Sequence, residues 1–340
     1  MFKKHYQKRS PNILFVLFRL ILSMVMLAVL AVGIYVAYKH FSGIDPLKLD
    51  PQAVVKNVLA ARTPQQVLGV LSSIKIDSKT LPILSNNQLV LENSTPDTAV
   101  TPAFRFLLIA DSHSDNDDLS KALAHARASY PDLKFIIGLG DYTNVGTTAE
   151  LNNAKKELDS SGLRYFLIAG DHDLWDSRDK KMSDGTNFNQ IFGPLFQSFD
   201  YNNFKFLLLD NSDDYKGLGD TQQKWIENEL EKIKQQPTNG TFVFLHEPLF
   251  HPSSDHVMGK IESGLKQQAR DLMYQLKAAG VKKVFTGDTH FFSEYKEPVT
   301  DLEMVTIGAV TIERNPQAPR FAVVSVFDDG TTKVEDVEIK

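Results

Sequence analysis

Residues 104–113 read FRFLLIADSH, an apolar run that stops abruptly on Asp111 and His113. The run has the length and composition of a buried strand. Alternate residues of a strand lie on the same face, so the two polar side chains can reach one ligand. Because ligands bind at the carboxyl ends of the strands in an open α/β sheet, this stretch predicts a polar site at such an edge.

Four later stretches have the same design, in which an apolar run of strand length stops on acidic or imidazole side chains. They are Gly140-Asp141, Gly170-Asp171-His172-Asp173, His246-Glu247-Pro248 and Gly287-Asp288-Thr289-His290. Each one alone is also explained by an ordinary strand-to-loop turn or by a buried polar residue. Together they predict that five strand ends meet at one two-metal site, since carboxylate and imidazole groups are metal ligands.

Residues 171–173 are three ionisable residues in a row after the apolar run 165–169. Asp171 is a candidate metal ligand. Histidine has an ordinary pKa of about 6.5, which suits proton transfer, so His172 is a candidate catalytic acid or base. Asp173 is expected to orient the imidazole of His172 from behind.

The composition excludes several classes of protein. Hydrophobic residues make up 42% of the 340 residues, which is ordinary for a folded globular protein. The net charge of -5 argues against a nucleic-acid partner, because such proteins usually carry a basic face. The absence of cysteine excludes disulfides, thiolate metal sites and cysteine nucleophiles. Nothing in the sequence predicts the oligomeric state.

The amino end is organised like a single-pass membrane anchor. Residues 1–12 are basic, and residues 13–38 are mostly apolar, with no charge from Leu20 to Ala37. That length suits a transmembrane helix; a cleaved signal peptide is the alternative, although its apolar core usually has only about 7–15 residues. The flanking charges predict a cytoplasmic amino terminus and an extracytoplasmic location for everything after residue 40.

Residues 39–103 are expected to form a stalk with short helices, and residues 104–340 the main domain. In that domain strand-like runs alternate with amphipathic stretches, which predicts an α/β architecture with a mostly parallel sheet. The predicted strands cover 104–110, 133–139, 164–169, 204–210, 241–245, 282–286, 303–310, 320–327 and 332–339, and the predicted helices cover 117–128, 147–160, 220–235 and 261–279. The helix-poor carboxyl end predicts a second, more antiparallel sheet packed on the first.

The order Asp-x-His, Gly-Asp, Gly-x-His-Asp, His-x-Pro and Gly-x-x-His, each at a strand end, resembles the calcineurin-like metallophosphoesterase family. The resemblance covers the chain from residue 104 to about residue 340. It implies a metallophosphoesterase-like four-layer fold, which is a two-sheet β-sandwich flanked by helices. It also implies hydrolysis of a phosphate mono- or diester by a hydroxide that bridges two divalent metal ions.

Carried over to this chain, the resemblance implies a set of seven metal ligands. Asp111, His113 and His290 would hold the first ion, Asp171, His246 and Asp288 the second, and Asp141 would bridge both. His172 would then be the acid near the leaving group, with Asp173 behind it.

Two positions depart from the usual family pattern. The family commonly has Asn where this chain has Asp171, and His where this chain has Asp288. The implied ligand set therefore carries four carboxylates, which favours Mn²⁺, Fe²⁺ or Mg²⁺ over Zn²⁺. A membrane-anchored binding protein that keeps the fold and one metal without catalysis is the alternative function. Further candidates at the mouth of the site are Tyr142, Asn144, Trp175, Asp176, His251, Asp255 and His256.

Overall fold

The computed structural model describes residues 26, 101–183, 185–236 and 238–340. The basic segment 1–12, the predicted anchor 13–38 apart from Met26, and the predicted stalk up to residue 100 lie outside the described residues. The anchor and stalk therefore stay predictions. Within the described ranges, no helix combines the length and apolar character needed to span a bilayer.

Strands and helices alternate through the described domain. The strands are β1 (Phe104–Ile109), β2 (Leu133–Gly138), β3 (Arg164–Leu167), β4 (Gln197–Tyr201), β5 (Phe204–Leu208), β6 (Gly240–Phe244), β7 (Lys283–Thr286), β8 (Ser293–Lys296), β9 (Glu303–Thr306), β10 (Arg320–Val326) and β11 (Thr332–Glu338). The helices are α1 (Asn116–Ser129), α2 (Thr148–Ser160), α3 (Trp175–Asp179), α4 (Thr186–Phe192), α5 (Asp220–Gln235) and α6 (Leu265–Ala278). All the predicted elements of this region are present, whereas β4, β8, α3 and α4 are short and were missed.

The strands form two mixed sheets. The first has the order β11-β10-β1-β2-β3, with β1, β2 and β3 parallel and β10 antiparallel to both of its neighbours. The second has the order β4-β5-β6-β7-β9-β8, in which the two edge strands run antiparallel to a parallel centre. The carboxyl ends of β1, β2, β3, β6 and β7 carry the five polar stretches.

The helix-poor carboxyl end was predicted to form a second, more antiparallel sheet, and this is wrong for its last two strands, β10 and β11, which extend the first sheet. Strand β10 enters the first sheet between β1 and β11, with Phe104 opposite Val326. Six of the seven residues of β10 are buried, so both of its faces are covered. Both edges of β10 are also hydrogen-bonded, one to β1 and one to β11, so it is an interior strand of the first sheet.

A phenylalanine-rich layer joins the two sheets. Phe104, Phe106 and Leu108 of β1 point into this layer, while Leu107 and Ile109 point to the opposite face. On that outer face, α1 and α2 cover the first sheet, and α5 and α6 cover the second sheet in the same way. The two-sheet sandwich flanked by helices is therefore confirmed.

Two helices begin directly after polar loops that follow β1 and β2. The Asp115 carboxylate accepts a hydrogen bond from Asp118 N at 3.1 Å and caps α1. Thr147 and Glu150 form a reciprocal capping box at the start of α2. Such caps stabilise a helix by about 1 kcal/mol each, and here they determine where the two loops end.

The inter-sheet layer should dominate the stability of the domain. Phe106 is fully buried and its ring lies 5.4 Å from that of Phe135 and 5.7 Å from that of Phe206. We expect Phe106→Ala to lower the free energy of unfolding by about 3–5 kcal/mol, because a cavity replaces the ring. Urea denaturation followed by circular dichroism measures this. Tyr274→Ala, at a side chain that is 54% exposed, is the control and should change stability by less than about 1 kcal/mol.

Candidate metal centre

Hydrogen bonds join the polar loops within each sheet and between the two sheets. Asp111 N donates to Gly140 O at 3.0 Å, and His113 N donates to Asp141 O at 2.9 Å. Within the second sheet, Gly287 N donates to His246 O at 3.0 Å, and between the two sheets Asp288 N donates to the Asp111 carboxylate at 3.2 Å. The loops therefore form one continuous surface at the carboxyl ends of both sheets.

Left-handed backbone conformations are concentrated at the proposed ligands. The φ angles are 54° at Asp111, 41° at His113, 55° at Asp141, 66° at Asp288 and 59° at His290. Such conformations cost on the order of 1–3 kcal/mol each for residues other than glycine, and they persist where function requires a particular geometry. Strand alternation does not bring Asp111 and His113 together as predicted: β1 ends at Ile109, and the two residues lie in a left-handed turn.

Asp111, His113 and His290 form the first candidate metal group, as the family resemblance implied. The two Nε2 atoms of His113 and His290 lie 3.1 Å apart, and His290 Nε2 lies 3.6 Å from Asp111 Oδ1. His290 Nδ1 lies 3.1 Å from Glu313 O and donates to it, which leaves Nε2 to face the group. All three side chains are buried.

Asp171, His246 and Asp288 form the second group. His246 Nε2 lies 3.6 Å from Asp171 Oδ1 and 3.8 Å from Asp288 Oδ1, while His246 Nδ1 donates to Leu139 O at 2.7 Å. His246 Nε2 and Asp288 Oδ2 are buried and have no hydrogen-bond partner. Buried polar atoms without partners are rare, so this donor set fits a cation.

The electrostatics of the site also favour a bound cation. Burial lowers the pKa of His246, but the carboxylates of Asp141, Asp171 and Asp288 outweigh burial and hold that pKa well above its usual range. Burial and the neighbouring carboxylates of Asp288 and Asp214 raise the pKa of Glu247 to about 9. The cleft is therefore short of positive charge, which bound cations would supply.

Asp141 lies between the two groups. Its Oδ2 is 3.5 Å from His113 Nε2, and its Oδ1 is 3.6 Å from His246 Nε2. Gly140, with a φ of +98°, allows this approach, because a Cβ atom there would lie 2.5 Å from Gly170 N and 2.6 Å from His246 Nδ1. A single carboxylate thus faces both groups, one oxygen to each.

His172 lies in a 3₁₀ turn over 172–174, beside the first group. Its Nδ1 donates to Asn144 O at 2.7 Å, and its ring stacks on Trp175 with a centroid distance of 3.8 Å. The ring also packs edge-to-face against the ring of His113, with 4.7 Å between the two ring centroids. Nε2 is thereby left to face the cleft.

Asp173 does not orient His172, contrary to the prediction. Its carboxylate accepts hydrogen bonds from Thr143 Oγ1 at 2.7 Å, Thr143 N at 3.1 Å and Gly170 N at 3.0 Å. It therefore fastens the loop after β2 to the loop after β3. Neighbouring residues of a helical turn face different directions, so adjacency in sequence did not mean contact.

The two groups open into a cleft of about 560 Å³. Of the candidates for its mouth, Trp175, Asp255 and His256 line it, and Asn144 contributes the carbonyl that holds His172. Tyr142 is buried in the core. His251 is also buried, and its Nδ1 accepts a hydrogen bond from Ser254 N. Asp176 forms a salt bridge with Lys180. Tyr142, His251 and Asp176 do not line the cleft.

Several cleft residues were not recognised in the sequence. Asp214 and Arg314 line the cleft, and Asn211 Oδ1 accepts from His246 N at 3.0 Å and Glu247 N at 3.2 Å. Asp214 and Arg314 lie in connections that do not follow the strand-end pattern. Asn211 lies just beyond the apolar run of β5, and that position was the available signal.

Comparison with known families identifies the family to which this chain belongs. Residues 104–292 match the profile of the calcineurin-like phosphoesterases. The chain belongs to this family. The resemblance of the five stretches is thus confirmed, and the chain is a metal-dependent phosphoesterase.

Individual relatives are distant. A 3′,5′-cyclic-nucleotide phosphodiesterase of Nostoc sp. is 26% identical over 223 residues, which cover 61% of this chain and 78% of the relative. The serine/threonine-protein phosphatase CPPED1 of Homo sapiens is 26% identical over 211 residues, which cover 57% of this chain and 65% of the relative. The purple acid phosphatase PPD1 of yellow lupin has a similar structure, with a TM-score of 0.53 and 15% identity over 69% of this chain and 51% of that one. The chain spans about half of the lupin enzyme, and at that identity the likeness concerns the fold alone.

Stability measurements can separate two roles for Asp173: bracing, in which it fastens the loop after β2 to the loop after β3, and orienting the imidazole of His172. We expect Asp173→Ala to lower the free energy of unfolding by at least about 2 kcal/mol, because the amides of two buried loops lose their acceptor. His172→Ala, which removes no such acceptor, should cost clearly less. Chemical denaturation of both variants measures the difference. Equal stability of the two variants would contradict the bracing role.

Proposed function

We propose that this phosphoesterase uses two divalent ions held by the seven residues named above. The observation that carries the proposal is the position of Asp141, whose two oxygens lie 3.5 Å and 3.6 Å from imidazoles of the two different groups. A carboxylate placed between two donor sets offers one oxygen to each of two ions, which suits a two-metal site. The carboxylate-rich donor set favours Mn²⁺, Fe²⁺ or Mg²⁺ over Zn²⁺.

When bound, the two ions would polarise the phosphate and activate water for attack on phosphorus. The chain itself supplies the remaining parts. His172 presents Nε2 to the cleft and would protonate the departing alkoxide. The carbonyl of Asn144 and the ring of Trp175 hold that imidazole in place.

The substrate we propose is a phosphate mono- or diester that reaches the cleft from outside the cytoplasm. Support for the ester class comes from relatives named as a phosphodiesterase and a protein phosphatase. Support for the location comes from the sequence of residues 1–38, with its basic end and uncharged apolar run. Residues 13–38 would hold the enzyme at the membrane.

The two-metal hypothesis is tested by measuring ester hydrolysis by protein that has been treated with a chelator and then resupplied with Mn²⁺. We expect Asp141→Asn to reduce turnover of p-nitrophenyl phosphate and bis(p-nitrophenyl) phosphate by on the order of 100-fold, because the shared carboxylate is lost. Asp200→Asn is the control, since Asp200 lies on the edge strand β4, its side chain is 68% exposed, and it pairs with Lys205. If wild-type protein binds metal and hydrolyses no ester of a broad panel, the chain is instead a non-catalytic anchored binding protein.

The acid role of His172 depends on the leaving group. We expect His172→Ala to slow hydrolysis of an alkyl phosphate by about 10²–10⁴-fold, because a poor leaving group needs a proton. Hydrolysis of a p-nitrophenyl ester should suffer much less, since that phenolate leaves without one. Steady-state rates for both esters, with metal content measured alongside, decide the point. An equal loss on both esters would assign His172 to phosphate binding instead.

Because the chain contains no cysteine, single cysteines report its topology cleanly. We expect Ser42→Cys to react with a membrane-impermeant maleimide on intact cells. Ser10→Cys should react only after the membrane is opened, because the basic amino end stays in the cytoplasm. Labelling of Ser10→Cys on intact cells would reverse the proposed orientation.

A further inference from the structure

An imidazole outside the seven proposed ligands contacts the second group. His256 Nε2 lies 3.1 Å from Asp288 Oδ1, closer than His246 Nε2 at 3.8 Å. A carboxylate oxygen accepts hydrogen bonds, so the Nε2–H group of His256 is the donor. The His256 imidazole is thus within hydrogen-bond distance of Asp288 Oδ1, whereas the His246 imidazole is not.

His256 reaches the cleft from a short loop that the fold anchors. Met258 is buried, and its backbone N donates to Pro248 O at 2.8 Å. His256 N donates to Ser254 Oγ at 3.1 Å, and Lys260 pairs with Asp255. The imidazole is thus held two residues from a buried anchor, although 59% of its side chain is exposed.

Other proposed ligands are held by backbone groups. Leu139 O holds the imidazole of His246, Glu313 O holds that of His290, and Asp288 N donates to both oxygens of Asp111 at 3.2 Å. The carboxylate of Asp288 instead depends on a side chain from another loop. Its remaining oxygen, Oδ2, is buried and without a hydrogen-bond partner.

We propose that His256 is a positioning residue for Asp288 and thereby sets the affinity of the second metal subsite. Its hydrogen bond holds the carboxylate beside Asp171 and His246, where an ion would bind. Removing such an outer contact from a metal ligand typically costs about 10–100-fold in metal affinity. The inference rests on the proposed two-metal function.

Calorimetric titration of the chelator-treated full chain with Mn²⁺ tests the inference directly. The variants are His256→Ala, His256→Gln and Asp288→Asn, together with the double variant of His256→Ala and Asp288→Asn. Gln keeps a side-chain N–H donor, whereas Ala does not. Ser253→Ala is the control, because Ser253 lies on the same loop but does not line the cleft.

We expect two binding events in the wild type, with His256→Ala weakening one of them by about 10–100-fold and sparing the other. His256→Gln should recover most of that loss, and Ser253→Ala should match the wild type. In the Asp288→Asn background, His256→Ala should cost clearly less than in the wild type, because the carboxylate it positions is gone.

Three results would overturn the inference, and they are distinguishable. Two events in the wild type that His256→Ala leaves unchanged, or an equal loss with and without Asp288→Asn, would overturn the role of His256 alone. A single event in the wild type would overturn the two-metal function and the inference with it. A cooperative thermal unfolding transition, with its midpoint measured for each metal-free variant, confirms that the chain is folded.

Discussion

Mutual repulsion between the carboxylates of Asp111, Asp141, Asp171 and Asp288 is the constraint on which the rest of this structure depends. They lie in overlapping groups whose ligand atoms are within 4.8 Å of one another. Two like charges at about 4 Å repel by about 4 kcal/mol at an effective dielectric constant of 20. Such a cluster persists only on a stiff scaffold, and bound cations would turn the repulsion into attraction.

The stiffness comes from the layer between the sheets and from the loops. Aromatic rings such as Phe106, Phe135 and Phe206 interlock across the sandwich and fix the strand ends. The loops that leave those ends bond to one another through their backbones, and Asp173 adds a side-chain connection. Left-handed turns then aim the ligands inward. Stability stored in the core thus supports strain at the site.

Much of this arrangement was predictable because the signal is local. An apolar run that stops on Asp or His is visible without any structure, and five such stops sufficed to find the site and its family. Contacts made at a distance were not visible. Asp173 follows His172 directly yet bonds the neighbouring loop, and Arg314 reaches the cleft from a connection without a strand-end pattern. The left-handed turn at Asp111 and His113 also escaped prediction, because neither residue type demands it.

The pairing of β1 with β10 has a consequence for the order of folding. Arg105 Nε donates to Ser325 Oγ across 220 positions of sequence, and the two strands lie side by side. During synthesis, β1 emerges early and its outer edge waits for a partner made much later. An unpaired edge is a template for aggregation. The first half of the domain therefore exposes an edge that is prone to aggregation until Val326 has been added.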